Sequence, residues 1–206
     1  MKRYMKPLLI ILMLGNLMWI VPTWNASNRT KRSDPTIRMP QLDLVADSAV
    51  STDTRQARQT VVRFLTWYKN HIQEANRIPL VNQTAGKPYS VNLKNGERYL
   101  TYLKSSHRLT DAYLNQWRVF FRERQAGFRQ SPQFEGPPTG FDYDLVMLTQ
   151  DVDTQLDSLK SLKMGKVTIL GDQATVGFTL LDVYEFRLVR QNRRWLIDEI
   201  LNQSQE

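Results

Sequence analysis

Two histidines, His71 and His107, are the only imidazoles in the chain. Acid–base catalysis by the pair would need both in one pocket with a carboxylate to orient them. Nothing in their spacing arranges that: His71 sits beside Ile72 at the end of a helical pattern, and His107 lies in "SSHRLT", a segment that reads as a connection between helices. No Gly-x-Ser-x-Gly turn is present to raise a serine nucleophile. The absence of cysteine removes disulfides, thiolate metal sites, a cysteine nucleophile and a lipid-modified N-terminal cysteine. The residues therefore name no catalytic group and imply no cofactor.

The carboxylates Asp142, Asp144, Asp151, Asp153 and Asp157 raise the question of calcium. "DVDTQLDSLKSL" begins as an EF-hand loop would, with carboxylates at its first, third and seventh positions. It then fails, because Leu156 stands where the turn needs glycine and Leu162 where the bidentate glutamate belongs. The run reads as a solvated acidic loop that balances basic helices, and no metal site is expected. In "WRVFFRERQAGFRQ", Arg118, Arg122, Arg124 and Arg129 alternate with aromatic residues, a combination found in nucleic-acid grooves. Here Trp117, Phe120 and Phe121 keep helical spacing, so they read as core and no nucleic-acid partner is expected. Arginines left over on such a helix suit anionic headgroups, a cell-wall polymer or an acidic protein.

The elements that must position these residues are set by a chain of 206 residues, 41% hydrophobic and 10% aromatic, which is enough for one core-forming domain and an appendage. Residues 1–130 hold 21 Lys/Arg against 8 Asp/Glu, and residues 131–206 hold 7 against 12. Such asymmetry suits either complementarity within the molecule or a basic face turned to an anionic surface. Residues 1–24 have the plan of an export signal or a single membrane anchor: Lys2, Arg3 and Lys6, then an apolar run from Leu8 to Val21. Fourteen residues fall short of the ~20 of a comfortable span. Ala26 would precede the cut, but Trp24 stands where a small residue is wanted, so an uncleaved segment 8–24 would hold the chain in the inner membrane. A cysteine-free exported domain fits the periplasm of a Gram-negative bacterium. The Asn-x-Ser/Thr triplets at Asn25, Asn28, Asn82 and Asn202 are then coincidental.

Residues 25–50 are polar, carry Pro35 and Pro40, and read as a linker before a domain of residues 51–206. Ser51, Thr52 and Asp53 offer N-caps for a helix whose apolar positions Ala57, Val61, Phe64, Leu65, Tyr68 and Ile72 step by three and four, and Pro79 stops it. A short helix follows Asn95-Gly96, with Tyr99, Leu100 and Leu103 on one face. A longer one carries Tyr113, Leu114, Trp117, Phe120 and Phe121, and residues 130–141 are loop by composition. The period then changes to two. Val167 and Ile169, then Val176, Phe178 and Leu180, then Tyr184, Phe186 and Leu188, then Trp195 and Ile197 mark four strands with one buried face. Gly177 suits a bulge, and a turn is expected near Gln191-Asn192. Arg187 falls on the opposite face near Asp198, while Arg190, Arg193 and Arg194 crowd the turn and guard the edge. Helices followed by an antiparallel sheet define an α+β fold.

The segments "TVVRFLTWYKNHI", "FDYDLVMLTQDVD", "ATVGFTLL" and "YEFRLVRQNRRWLIDEI" resemble, across residues 55–200, the YbjP-like exported proteins and lipoproteins, a domain of unknown function in the cystatin-like, nuclear-transport-factor-2-like cone superfamily. The lipoproteins of that group carry an N-terminal cysteine that this chain lacks. The resemblance implies helices packed on a curved antiparallel sheet, an envelope location and no catalytic residues. The interior of such a cone is a natural pocket, which Trp67, Tyr68, Trp117, Phe121, Phe178, Phe186 and Trp195 would line or fill. The function that follows is a non-enzymatic envelope protein binding a protein or small ligand, of an oligomeric state the sequence does not set. A bitopic scaffold subunit of a type IV-like secretion system and a small periplasmic enzyme using the cone pocket are the alternatives.

Overall fold

Apolar side chains recur every three or four positions from Ala57 to Ala75, and Ala57, Val61, Phe64, Leu65 and Tyr68 on that stripe are fully buried. They belong to helix α1, Leu42–Asn76. The computed structural model describes residues 42–205, so the expected export segment and most of the expected linker lie outside the described residues. Among the described residues no helix is long and apolar enough to cross a membrane. The helix does not start at the expected caps Ser51 to Asp53 but nine residues earlier, at Leu42. The stretch "LDLVADSAV" holds no proline or glycine, and a few Ser, Thr and Asp cost a helix only some tenths of a kcal/mol each. Pro79 closes the other end as expected, three residues after Asn76.

A two-residue pair, β1 (Val81–Asn82) with β2 (Ser90–Val91), leads into α2 (Leu93–Lys104) and α3 (Asp111–Gln130). Asn92 caps α2 by accepting the Asn95 N–H at 3.0 Å, and Thr110 caps α3 by accepting that of Tyr113 at 2.9 Å. Asn95-Gly96, a turn signal in the sequence, lies inside the first turn of α2 rather than before it. Glycine is needed there for contact, since a Cβ on Gly96 would sit 2.9 Å from the Phe121 ring.

A short helix α4 (Val152–Asp157) and a 3-10 turn precede strands β3 (Lys163–Leu170), β4 (Gln173–Thr179), β5 (Val183–Gln191) and β6 (Arg194–Asn202). These pair in chain order as one antiparallel meander, and the architecture is mixed α+β with helices packed against antiparallel sheets. The expected common face is the buried one: Val176, Phe178, Tyr184, Phe186, Leu188, Trp195 and Ile197 are at most 3% exposed. Phe64 of α1 meets Phe186 edge-on at 6.3 Å, and Phe186 meets Phe178 at 5.0 Å and 74°. The expected bulge lies not at Gly177 but across from it, between Met164 and Val167, where a Cβ on Gly165 would sit 3.1 Å from the Gly177 carbonyl oxygen. The loop 108–110 extends the sheet past β6, with Ile197 N–H donating to the Arg108 carbonyl at 2.7 Å.

A second bulge, between Arg187 and Leu188, puts an extra residue into β6 and moves the expected partner of Arg187 along by one. Arg187 binds Glu199 at 2.7 Å and Glu185 at 3.0 Å, while Asp198 accepts the Thr110 hydroxyl at 2.6 Å. Arg190 reaches Asp53 of α1 at 2.5 Å, and its guanidinium lies 4.5 Å over the Trp195 ring. The β5–β6 turn is Asn192-Arg193, both with positive φ, 50° and 61°. That is the backbone of a type I′ turn, which favours Asn-Gly.

Two stability measurements check this account. Gly96→Ala gains about 1 kcal/mol of helix propensity but forces a methyl into Phe121, an overpacking cost of about 1–3 kcal/mol. The expected net result is a loss of urea stability. Arg193→Gly relieves a left-handed arginine worth about 1 kcal/mol and is expected to raise the unfolding midpoint.

Candidate functional site

The site is built around a carboxylate that the sequence places between Tyr143 and the apolar run "LVML". Leu145, Val146 and Met147 are buried, and they draw residues 144–149 into a tight loop against the sheet. The Asp144 N–H donates to the Thr149 carbonyl at 2.9 Å, and the Leu148 N–H to the Asp144 carbonyl at 2.8 Å. Leu148 takes a positive φ of 52° to close the loop. The Met147 carbonyl accepts the Tyr184 hydroxyl at 3.1 Å, and the Asn202 amide, which donates to Asp182 at 3.0 Å, lies beside it.

Asp144 itself is part-buried. Its Oδ1 accepts the N–H groups of Val146 at 3.0 Å and Met147 at 2.6 Å, and its Oδ2 accepts the Tyr68 hydroxyl at 2.5 Å. Tyr99 lies against Tyr68 behind it, fully inside α2's buried face. Burial pushes the Asp144 carboxyl above the usual carboxylate range; the bonds from Met147, Tyr68 and Val146 oppose that rise, and the like charge of Asp153 adds to it. Burial likewise holds the Tyr68 and Tyr99 phenols well above their ordinary value, with Asp144 reinforcing both.

The carboxylate opens onto a groove of about 350 Å³ between the end of α1, the segment 78–83 and the loop 138–145. Ala75, Ile78, Pro79, Leu80, Val81, Phe141 and Leu145 make its apolar walls; Asn76, Gln83, Tyr143 and Asp144 supply polar atoms. No Lys, Arg or His lines it. Among the described residues, no group of three or more His, Asp or Glu stands together as a metal cluster.

Of the seven aromatic residues expected at a pocket, Tyr68 borders this groove. Phe121, Phe178, Phe186 and Trp195 are at most 3% exposed and fill the interior: Phe178 and Phe186 meet each other, Phe186 meets Phe64 of α1, Phe121 stacks on Phe141, and Trp195 lies under Arg190. Trp67 stacks on His71 at 5.0 Å, and Trp117 packs edge-on to Phe120 at 5.3 Å. The two histidines serve elsewhere: the His71 Nδ1 lies 2.7 Å from the Trp67 carbonyl, and His107 is exposed in the α2–α3 turn at a φ of 53°. The expected solvated acidic run holds for Asp151, Asp153 and Asp157, which are exposed, but not as a loop and not for Asp144. Residues 152–157 form α4, Asp157 holds Lys69 at 2.8 Å, and Asp144 is inside. Strict alternation in "FDYDLVML" sets Asp144 opposite Phe141 and Tyr143, so the sequence carries no signal for its burial; the Val146 and Met147 amides and the Tyr68 hydroxyl hold it inward.

No protein-family model, curated protein or solved structure matches the chain.

The raised Asp144 pKa gives a signed pH test. Its protonated form is favoured by folding, so its contribution is fully present below an unfolded pKa near 3.8 and is lost as pH rises through the higher folded value. Asp144→Asn removes that titration while keeping an acceptor for the loop amides. Wild type should therefore gain stability relative to Asp144→Asn as pH falls from about 7 to about 4. Paired urea midpoints across that range measure it.

Proposed function

We propose that the chain is a non-enzymatic binding protein of the cell envelope, built as a cystatin-like cone and delivered to the periplasm by residues 1–24 acting as signal or inner-membrane anchor. The basic start and apolar run of that segment, and the lack of cysteine, support the location. The helix-backed antiparallel meander supports the cone. The observation that carries the binding role is the Asp144 groove. Its volume of about 350 Å³ falls in the span of small-molecule sites, and its lining mixes apolar side chains with the polar groups of Tyr68, Asn76, Gln83, Tyr99 and Tyr143 and the carboxylate of Asp144. Such a surface sorts ligands by shape and by one directed contact. A group able to move protons or attack a bond would need a partner beside it, and the groove supplies Asp144 with hydroxyl donors rather than a base and nucleophile.

The test has two arms. Alkaline phosphatase fused after Glu206 is expected to be active in living Gram-negative cells; an inactive fusion retained in the cytosol would overturn the location. Full-length protein purified from the envelope is expected to carry a non-covalent adduct in native mass spectrometry, lost in Ala75→Phe, which fills the groove. Protein without an adduct, or with the same adduct in the variant, would overturn the groove.

A further inference from the structure

We propose that the groove takes the head of an organic ammonium, with Asp144 as its counter-ion and the rings of Tyr143 and Phe141 beside it. The inference rests on the groove being the ligand site and names the chemistry of its occupant.

The first ground is the unfinished coordination of Asp144. A carboxylate offers about four acceptor positions, and the two amides and the Tyr68 hydroxyl use three. The remaining position is on Oδ2, the oxygen not consumed by the loop amides. An acceptor that lines the groove with one position not filled by a protein donor suits a ligand that brings one.

The second ground is charge. Among the described residues Asp53, Glu97, Glu185 and Glu199 each hold an arginine, although all lie nearer solvent or at the sheet surface. Asp144 has no such ion pair in a groove without a basic side chain. Two basic residues lie near but outside the lining: Arg77, between the lining residues Asn76 and Ile78 in the chain, and Arg124, which packs behind Gly140 and over the Phe120 ring and whose charge reaches Tyr143. Desolvation and Asp153 both work against the charged carboxylate, and an incoming cation would offset both. An anionic ligand would add a second like charge, and a neutral donor would leave the desolvation cost standing.

The third ground is the walls. Aromatic rings beside a carboxylate form the two halves of ammonium recognition, charge from one side and ring faces from the other. The open lone pair requires an N–H, which favours a primary or secondary ammonium over a quaternary one. At the ~30 Å³ that a water occupies in the liquid, a space of about 350 Å³ accommodates a compact amine with a short apolar tail.

Isothermal titration of the full chain with n-hexylammonium chloride, hexan-1-ol and sodium hexanoate tests this. Hexylammonium is expected to bind about tenfold or more tightly than the alcohol, because a hydrogen bond to a charged partner outweighs a neutral one, and hexanoate is expected not to bind. Asp144→Asn should abolish that preference, leaving ammonium and alcohol with similar affinities, whereas Tyr68→Phe should retain it. If Asp144→Asn does not fold, the wild-type ratio and Tyr68→Phe decide. Equal binding of alcohol and ammonium would overturn the ammonium assignment and leave the groove standing. No binding by any of the three would overturn the groove as well. Nα-acetyl-lysine amide, titrated in parallel, distinguishes sources: tighter binding than hexylammonium assigns the site to a lysine side chain of a polypeptide, and weaker binding assigns it to a free amine.

Discussion

Everything positioned in this molecule depends on α1 lying across the buried face of the β3–β6 meander. The strands alternate, so half of their side chains face one way, and without a cover those aromatic and aliphatic groups would meet water. Phe64, Leu65 and Tyr68 of α1 provide the cover, and Phe64 enters the ring cluster formed by Phe178, Tyr184 and Phe186. Each large side chain so buried contributes about 1.5–3 kcal/mol. Polar clasps then set the orientation: Arg190 to Asp53 near one end of the contact and the Thr60 hydroxyl to the Trp195 carbonyl at 3.4 Å. They are directional where the apolar contact is not.

The same helix carries Tyr68 from that interface to Asp144, so the packing contact and the groove share a residue. Asp144 does two jobs that pull in different directions. It nails the 144–149 loop through backbone amides, which favours the ionised form, and it does so in a place where ionisation is disfavoured by burial. A plain loop anchor could be an exposed aspartate or a serine. Leaving a carboxylate part-buried in a groove that no basic side chain lines is a cost that a ligand can relieve.

Much of the fold was legible in the chain. Periods of three to four marked α1 and α3, period two marked the strands, and the shared parity of Phe178, Phe186 and Trp195 marked the buried face. The misreadings have specific physical causes. Ser51 to Asp53 have the composition of a cap, but the stretch before them is itself helix-compatible, so the helix runs through them from Leu42. Asn95-Gly96 looked like a turn because the close approach of Phe121 was invisible. Asp198 was assigned to Arg187 because a bulge shifts register without changing composition. The groove was the least legible part. Large rings are the best core fillers, and most of the expected ones are spent there; the groove instead takes Tyr68, Tyr99, Phe141 and Tyr143 together with Ile78 to Val81, on a loop whose path depends on tertiary contacts. The triplet at Asn202, coincidental by sequence, is structural: that amide is 8% exposed and bonded inward.

The tyrosines around this centre give the molecule an optical property. Burial holds the phenolic protons of Tyr68, Tyr99, Tyr102, Tyr113 and Tyr184 above their ordinary range. Their protonated state is favoured by the native fold, so that contribution is intact below the unfolded value of about 10 and drains away in stronger alkali. In base, opening of the fold favours ionisation of these rings, so phenolate absorbance in the near ultraviolet becomes a label-free gauge of how tightly α1, α2 and the sheet remain joined.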